Sequence, residues 1–441
     1  MIGPFPWEPF PPGEPDPKGP DPVHTAAFRA AVTATDAYHA VRLAVRREAG
    51  TLRVGNRFVP DGRYREVAFL AFGNAANSMA LGALHAVGDR LTQGFLAGPD
   101  PVPPELPFRG VVVPPGWPGT PAAASVVAAA KELAADLTEQ DLLLVLVSAG
   151  ALRALAVPPE GVAPEEFARM LEAAAAAGAT GREVGLLARV LGTGGVGGRL
   201  AAAIPRAEVA TLLVDRGDGP GLLGGGPMRP VDAAERSEAR AIAARTGVGA
   251  ARPSDAPGFA PGSGTLRPSN VARPVVVASP PDALRAASEA VFEKGWTVRL
   301  AFLELRDDPE AAAQRFAEAS DVIYAREALT AESRTKGVAT FAMATLGLPE
   351  GVDEGPALGR FLARSRDLVR RREMSVGLFR TAGEVGAARG RPTYPPGAVV
   401  GAPTASATNA PTDGARVVRM RGGITDVGCL AVALFPRPAA R

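Results

Sequence analysis

At 441 residues the chain exceeds the usual size of a single hydrophobic core, so two domains are expected. A formal net charge of +2, dispersed arginines and only 5% aromatic residues exclude a basic nucleic-acid-binding surface. No apolar run approaches the roughly 20 residues of a membrane-spanning helix, and a lone cysteine, Cys429, excludes an intrachain disulfide.

Residues 1–23 are dense in proline and predict an extended arm. They lack the basic start and apolar core of a signal peptide, so a cytoplasmic location is the default expectation. A helix is predicted over 25–49, then a strand over 66–72 and a helix carrying Asn77, Met79, Leu81 and Leu84. Short strands follow near 93–97 and 110–113, and alanine content predicts a helix over 122–136. The apolar run 142–147 reads as a fully buried strand that ends at Ser148-Ala149-Gly150. Backbone amides at a turn of such small residues can hold an anion, although an ordinary turn between strand and helix reads the same way.

Helices are next expected over 164–178, with proline in the first turn, and over 182–191. A strand at 211–214 precedes a helix at 232–245, and 249–272 reads as a Pro/Gly/Ser-rich loop or linker. A strand at 274–278, a helix at 281–294 and a strand at 297–303 form a βαβ pattern, which predicts right-handed parallel pairing. Helices at 308–318 and 355–372 lead into a weak, turn-rich C-terminal region. Alternating strands and helices predict an α/β fold: a Rossmann-like parallel sheet with helices on both faces. The expected division is an arm over 1–23, a first domain over 24–272 and a smaller α/β domain within 273–441.

Chemistry is concentrated in few side chains. Asp215 follows the strand 211–214, at the carboxyl end where α/β folds place ligand groups; a turn-forming aspartate is the equal alternative. Arg199 follows a glycine pair and suits either a phosphate or a surface ion pair. GDGPGLLGGGP at 217–227 reads as a phosphate-cradling nest or as a flexible loop. Lys18, Lys131, Lys294 and Lys336 all lie away from glycine loops, so any phosphate contact falls to arginine or backbone amides. His24, His39 and His85 lack metal-ligand spacing, and Ser148 has no matching histidine–aspartate pair for a hydrolase triad.

FLAFGNAA at 69–76, LVSAGALRAL at 146–155, VGGRLA at 196–201 and VDRGDGPGLLGGGPM at 214–228 follow one another in a telling order. With NAPTDGARVV at 409–418 and ITDVGCLAVAL at 424–434, that order resembles the glycerate 2-kinase family, with an N-terminal domain of the DUF4147 type and a C-terminal MOFRL domain. The resemblance implies ATP- and Mg²⁺-dependent phosphorylation of D-glycerate or a similar hydroxy acid to its 2-phosphate. It implies Asp215 and Arg389 as catalytic residues, Asp215 also as metal ligand, and Asn74, Ser148, Gly150, Arg199 and Asp218 as substrate or phosphate contacts. Nucleic acid and membrane are not implied as partners, and homodimerisation stays open.

The departures fall on polar positions. Asn74 stands where the family has lysine, Leu152 where it has its second loop serine, and Ala188-Arg189-Val190 where it has an Arg-Lys-His run. The family's His-Pro-Val-Pro histidine has no counterpart in 112–125. Phosphoryl transfer relies on cations to neutralise developing charge. Two alternatives to a working kinase therefore stand: a degenerate paralogue that binds a small anion or nucleotide, and an interaction protein that keeps only the fold.

Overall fold

The computed structural model describes residues 22–114, 116–204, 206–217, 219, 223, 226–248, 270–305, 308–330, 336–344, 360–361, 364, 375–380, 398–400, 415–417 and 429–436. They form two units, one built on Ala37–Ala278 and the other on the first helix and the elements from Ser279 onward.

The single helix expected over 25–49 is broken. α1 (Pro22–Ala34) ends at Thr35, whose hydroxyl donates back to Ala31 O at 2.8 Å, and α2 (Ala37–Ala44) follows. The chain then folds into an antiparallel meander of β1 (Val45–Glu48), β2 (Thr51–Val54) and β3 (Arg57–Pro60). Ala49 and Gly50 sit at φ 48° and 77°, the left-handed pair that a two-residue hairpin turn demands. Turn chemistry here overrides the helix preference of the alanines and arginines before it.

The central sheet is formed by β4 (Glu66–Phe72), β5 (Leu91–Gly98), β6 (Arg109–Val112), β7 (Asp141–Ser148), β10 (Glu208–Val214) and β11 (Val275–Ala278). Two-residue strands β8 (Ala156–Val157) and β9 (Thr193–Gly194) pair separately. The order is β11-β10-β7-β4-β5-β6, with every neighbour parallel. Successive strands thus spread in one direction from β4 through β6, and in the other from β7 through β11. The reversal between β4 and β7 opens a crevice outside their carboxyl ends, where doubly wound folds bind ligands.

All eight residues of β7 are buried, as are Val67–Phe72 of β4, so both faces of the sheet centre are covered. Each Leu or Val enclosed there contributes about 1.5–3 kcal/mol. The connecting helices are α3 (Ala76–Val87), α4 (Pro121–Ala135), α5 (Ala151–Leu155), α6 (Pro164–Ala176), α7 (Gly181–Leu191), α8 (Arg199–Ala202) and α9 (Ala233–Thr246). Capping boxes Thr180/Glu183 and Asp232/Glu235 fix the starts of α7 and α9.

Asp141 anchors the entry to β7. Its enclosed carboxylate accepts Thr138 N–H at 2.8 Å, the Thr138 hydroxyl at 2.7 Å and Arg65 Nη2 at 3.0 Å. Burial alone would raise its pKa, but the Thr138 and Arg65 bonds outweigh it and hold the carboxyl below the ordinary value. A depressed carboxylate stabilises the fold above its unfolded pKa of about 3.9, and that contribution fades as pH falls through the folded value. Asp141→Asn is expected to cost about 1–3 kcal/mol at neutral pH. In denaturant titrations the gap from wild type should close below about pH 4; a gap independent of pH would refute the charge-based role.

The second unit carries α1, α10 (Pro280–Glu293), β12 (Thr297–Leu305), α11 (Pro309–Thr330), β13 (Gly337–Ala344), β14 (Ser375–Arg380), β15 (Ala398–Val400), β16 (Ala415–Val417) and β17 (Cys429–Pro436). Its sheet runs β12-β13-β17-β14-β15-β16; β12 and β13 are parallel and the other neighbours antiparallel. Tyr324 stacks on Phe435 at 4.8 Å, joining α11 to β17. The βαβ unit expected over 274–303 does not close. β11 pairs with β10 in the first sheet, whereas β12 pairs with β13 in the second, and α10 packs against α1. The helix expected over 355–372 and the linker expected over 249–272 lie largely outside the described residues.

Candidate functional site

The loops leaving β4 and β7 are tied together at the mouth of the crevice. Asn74 N–H donates to Ala149 O at 2.7 Å and Ala75 N–H to Ser148 Oγ at 3.0 Å. The Ser148 hydroxyl donates onward to Phe72 O at 3.4 Å, and Ala76 N–H bonds Gly73 O at 3.2 Å. Gly73, at φ 111°, allows this closeness, since a Cβ there would lie 2.4 Å from Ser148 O. The amides of Asn74 and Ala75 therefore hold the two loops together, and that of Ala76 closes a turn within its own loop.

Gly150, at φ 87°, caps α5 and leaves room for a guanidinium. Arg153 Nη2 donates to Asn74 Oδ1 at 2.6 Å, and a Cβ on Gly150 would stand 2.7 Å from that same Nη2. Arg153 is 5% exposed and Asn74 7%. The position that the resemblance gives to a lysine thus holds a neutral amide in contact with an arginine from the neighbouring loop. A lysine at 74 would set a second cation against it.

β10 lies beside β7 with Val214 opposite Ser148, so Asp215 emerges at the same edge of the sheet, one strand away. Its N–H donates to Ala278 O at 2.8 Å. Its Oδ1 accepts the N–H groups of Gly217 and Gly219, each at 3.1 Å. The turn-forming role weighed against a ligand role is therefore filled, and the same two bonds fix the direction of the carboxylate. Asn74, Ser148, Gly150 and Asp215 all stand at the carboxyl ends of adjacent strands.

Arg199 belongs to a second cluster. The VGGR loop is held by the loop before α9: Gly198 N–H donates to Gly226 O at 2.9 Å and Ala201 N–H to Pro227 O at 3.2 Å. Arg199 is half-buried and donates to Val196 O at 3.2 Å; burial lowers its pKa, and among the described residues no carboxylate pairs with it. No bond links it to Asn74, Ser148 or Asp215 among those residues.

Beneath this loop lies Arg189 of α7, fully enclosed, with Nη1 on Glu235 Oε1 at 2.7 Å. Its Nη2 donates to Arg229 O and Pro230 O at 2.8 and 3.0 Å. Burial outweighs the pull of Glu235 and takes the guanidinium down to about 10. Arg229 also bonds Glu235 Oε1, while Glu235 Oε2 accepts Asp232 N–H at 3.0 Å. The sequence alone assigned no role to Arg153, Arg189 or Glu235. An arginine inside the apolar run Leu186–Leu191 was the available signal for a buried ion pair.

Asp218 and Arg389 lie outside the described residues. Among the described residues no cluster of three His, Cys, Asp or Glu side chains could hold a metal ion, and no helix is long and apolar enough to cross a membrane.

A family described as a domain of unknown function, DUF4147, matches residues 23–256. A glycerate kinase of Danio rerio is 32% identical over 218 residues, covering 46% of this chain and 43% of that protein. The chain thus aligns with less than half the length of that relative. The crystal structure of a Thermotoga maritima glycerate kinase superposes with a TM-score of 0.69 at 19% identity, over 94% of this chain and all of the other. The PH0495 protein of Pyrococcus horikoshii gives 0.67 at 18% identity, over 94% of this chain and 98% of its own. These two likenesses establish the α/β fold.

Proposed function

The chain belongs to the DUF4147 family, and from that premise we propose that it is a glycerate-kinase-like phosphotransferase. In this reading it moves the terminal phosphoryl group of ATP, with Mg²⁺, to the 2-hydroxyl of D-glycerate, and its C-terminal unit is the MOFRL-type domain. The observation that carries the reading is the convergence of the loops after β4, β7 and β10 on one switch-point crevice, in a chain 32% identical to a glycerate kinase over 218 residues.

Each residue then has a task. The bonds from Asn74 N–H to Ala149 O and from Ala75 N–H to Ser148 Oγ tie the loops after β4 and β7 together as the floor of the site. Asp215 is the carboxylate at the end of β10, aimed by two backbone amides. A single carboxylate suffices for a magnesium ion whose other positions go to phosphate oxygens and water, so Asp215 fits that donor role. Bound there, the ion would neutralise charge developing on the transferred phosphoryl group. Without metal contact, the same carboxylate could accept the proton of the attacking hydroxyl. Arg199 is the proposed further cation.

The test is a coupled assay of the full chain with ATP, Mg²⁺ and D-glycerate. Formation of 2-phosphoglycerate is expected, and turnover no higher than a buffer blank ends the kinase reading. A second reading, binding of a small anion or nucleotide without transfer, is favoured by the neutral Asn74 and by the engaged amides at 74–76. Calorimetric binding of ATP or glycerate without turnover would select it.

A further inference from the structure

We propose that Ser148 is a positioning residue of the switch-point crevice, which serves the reaction by fixing three strand ends against one another and not by touching the ligand. The inference rests on the crevice being the site of phosphoryl transfer. It deepens that reading by giving this serine a task other than the ligand contact that the family resemblance implies. Ser148 closes β7, and in the parallel register it lies opposite Val214, the residue before Asp215. Its hydroxyl accepts the Ala75 N–H at 3.0 Å and donates to Phe72 O at a long 3.4 Å, both on the β4 side. Its backbone approaches the same loop closely. A Cβ on Gly73 would stand 2.4 Å from Ser148 O and 2.5 Å from its Oγ. One residue thus borders the ends of β4, β7 and β10.

Ser148 and Ala75 are both fully buried. A hydroxyl has one proton to give, and here it is directed at Phe72 O while the oxygen takes the Ala75 amide. A ligand oxygen can reach Ser148 Oγ only after that joint has opened. With the joint closed, the β4 loop, which carries Asn74, and the β10 turn, which carries Asp215, are spaced through Ser148. Reaction rates are sensitive to such spacing: a misplacement of about 1 Å can cost about 10²-fold even when its cause lies away from the reacting atoms.

The experiment pairs hydrogen–deuterium exchange of the ligand-free full chain with steady-state kinetics on Mg-ATP and D-glycerate, for wild type, Ser148→Ala and Ser148→Cys. In Ser148→Ala the peptide covering 73–79 should exchange faster than in wild type. Its kcat should fall about tenfold or more, with KM held within about threefold. Cysteine fills the same space but is a weak acceptor, so Ser148→Cys should show both changes in smaller measure. If the alanine variant fails to fold, the cysteine variant decides by the same two readings. Lower turnover with wild-type exchange would mean that Ser148 meets the ligand directly. Faster exchange with wild-type kcat would mean a joint without bearing on the reaction. Either result overturns the proposal, as does no change in both, while the kinase reading stands. If wild type itself shows no turnover, the kinase reading falls, and calorimetric affinity for Mg-ATP and D-glycerate takes the place of kcat. Weaker binding with faster exchange then retains the positioning role, and unchanged or absent binding ends it.

Discussion

Glu235→Ala is expected to destabilise the unit built on Ala37–Ala278 by about 3–5 kcal/mol, the cost of leaving one member of a buried ion pair without its partner. The Arg189 side chain has no exposure, and that of Glu235 is 11% exposed. Removing the carboxylate takes away the acceptor of Arg189 Nη1, while Nη2 keeps the carbonyls of Arg229 and Pro230. It also removes the second half of the α9 capping box and one of the two carboxylates paired with Arg229. In a unit of this size the melting midpoint should fall by on the order of 10 °C. Glu235→Gln retains shape and one hydrogen-bonding oxygen and should lose less. A drop of only a degree or two for the alanine variant would mean that the ion pair does not hold α7, α9 and the VGGR loop together.

Asp215→Asn is expected to lower kcat for glycerate phosphorylation on the order of 10²–10³-fold, the range seen when one electrostatic contact to a transition state is removed. The substitution separates the two roles of this residue. An asparagine retains Oδ1, so it can still accept the Gly217 and Gly219 N–H groups and keep the turn. It loses the charge that would bind magnesium or accept a proton. A structural aspartate therefore predicts near-native turnover in this variant, and a functional one predicts a collapse with the melting temperature held. The kinetic split decides the matter: loss in kcat fits the metal or base role, whereas loss confined to KM points to ligand binding alone.

Much of the fold was legible because its strongest signals are local. The buried run 142–147 and the strand Glu66–Phe72 need no long-range information, and the glycines after each marked the turns that meet at the crevice. Two features were missed for opposite reasons. The meander Val45–Pro60 carried its signal in Ala49-Gly50 and Gly55-Asn56, but the helix formers before it dominated the reading. The pairing of Val275–Ala278 with one sheet and Thr297–Leu305 with another left no local trace, because sequence periodicity reports a strand without its partner.

The candidate site divides in the same way. Asn74, Ser148, Gly150 and Asp215 sit at strand ends and could be picked out by position alone. That Ser148 is engaged with the Ala75 amide and with Phe72 O depends on the distance between two loops more than 70 residues apart. Arg153 was hidden because an arginine in the first turn of a short helix ordinarily points to water, whereas here it lies buried against Asn74 of the neighbouring loop.

Hydrogen–deuterium exchange of the full chain, alone and with Mg-ATP plus D-glycerate, locates the ligand most directly. Slowed exchange is expected in peptides covering 73–79, 148–155 and 215–219, the loops at the carboxyl ends of β4, β7 and β10. Ligand-dependent protection confined to other segments, or none at saturating concentrations, would contradict a ligand site at the switch point.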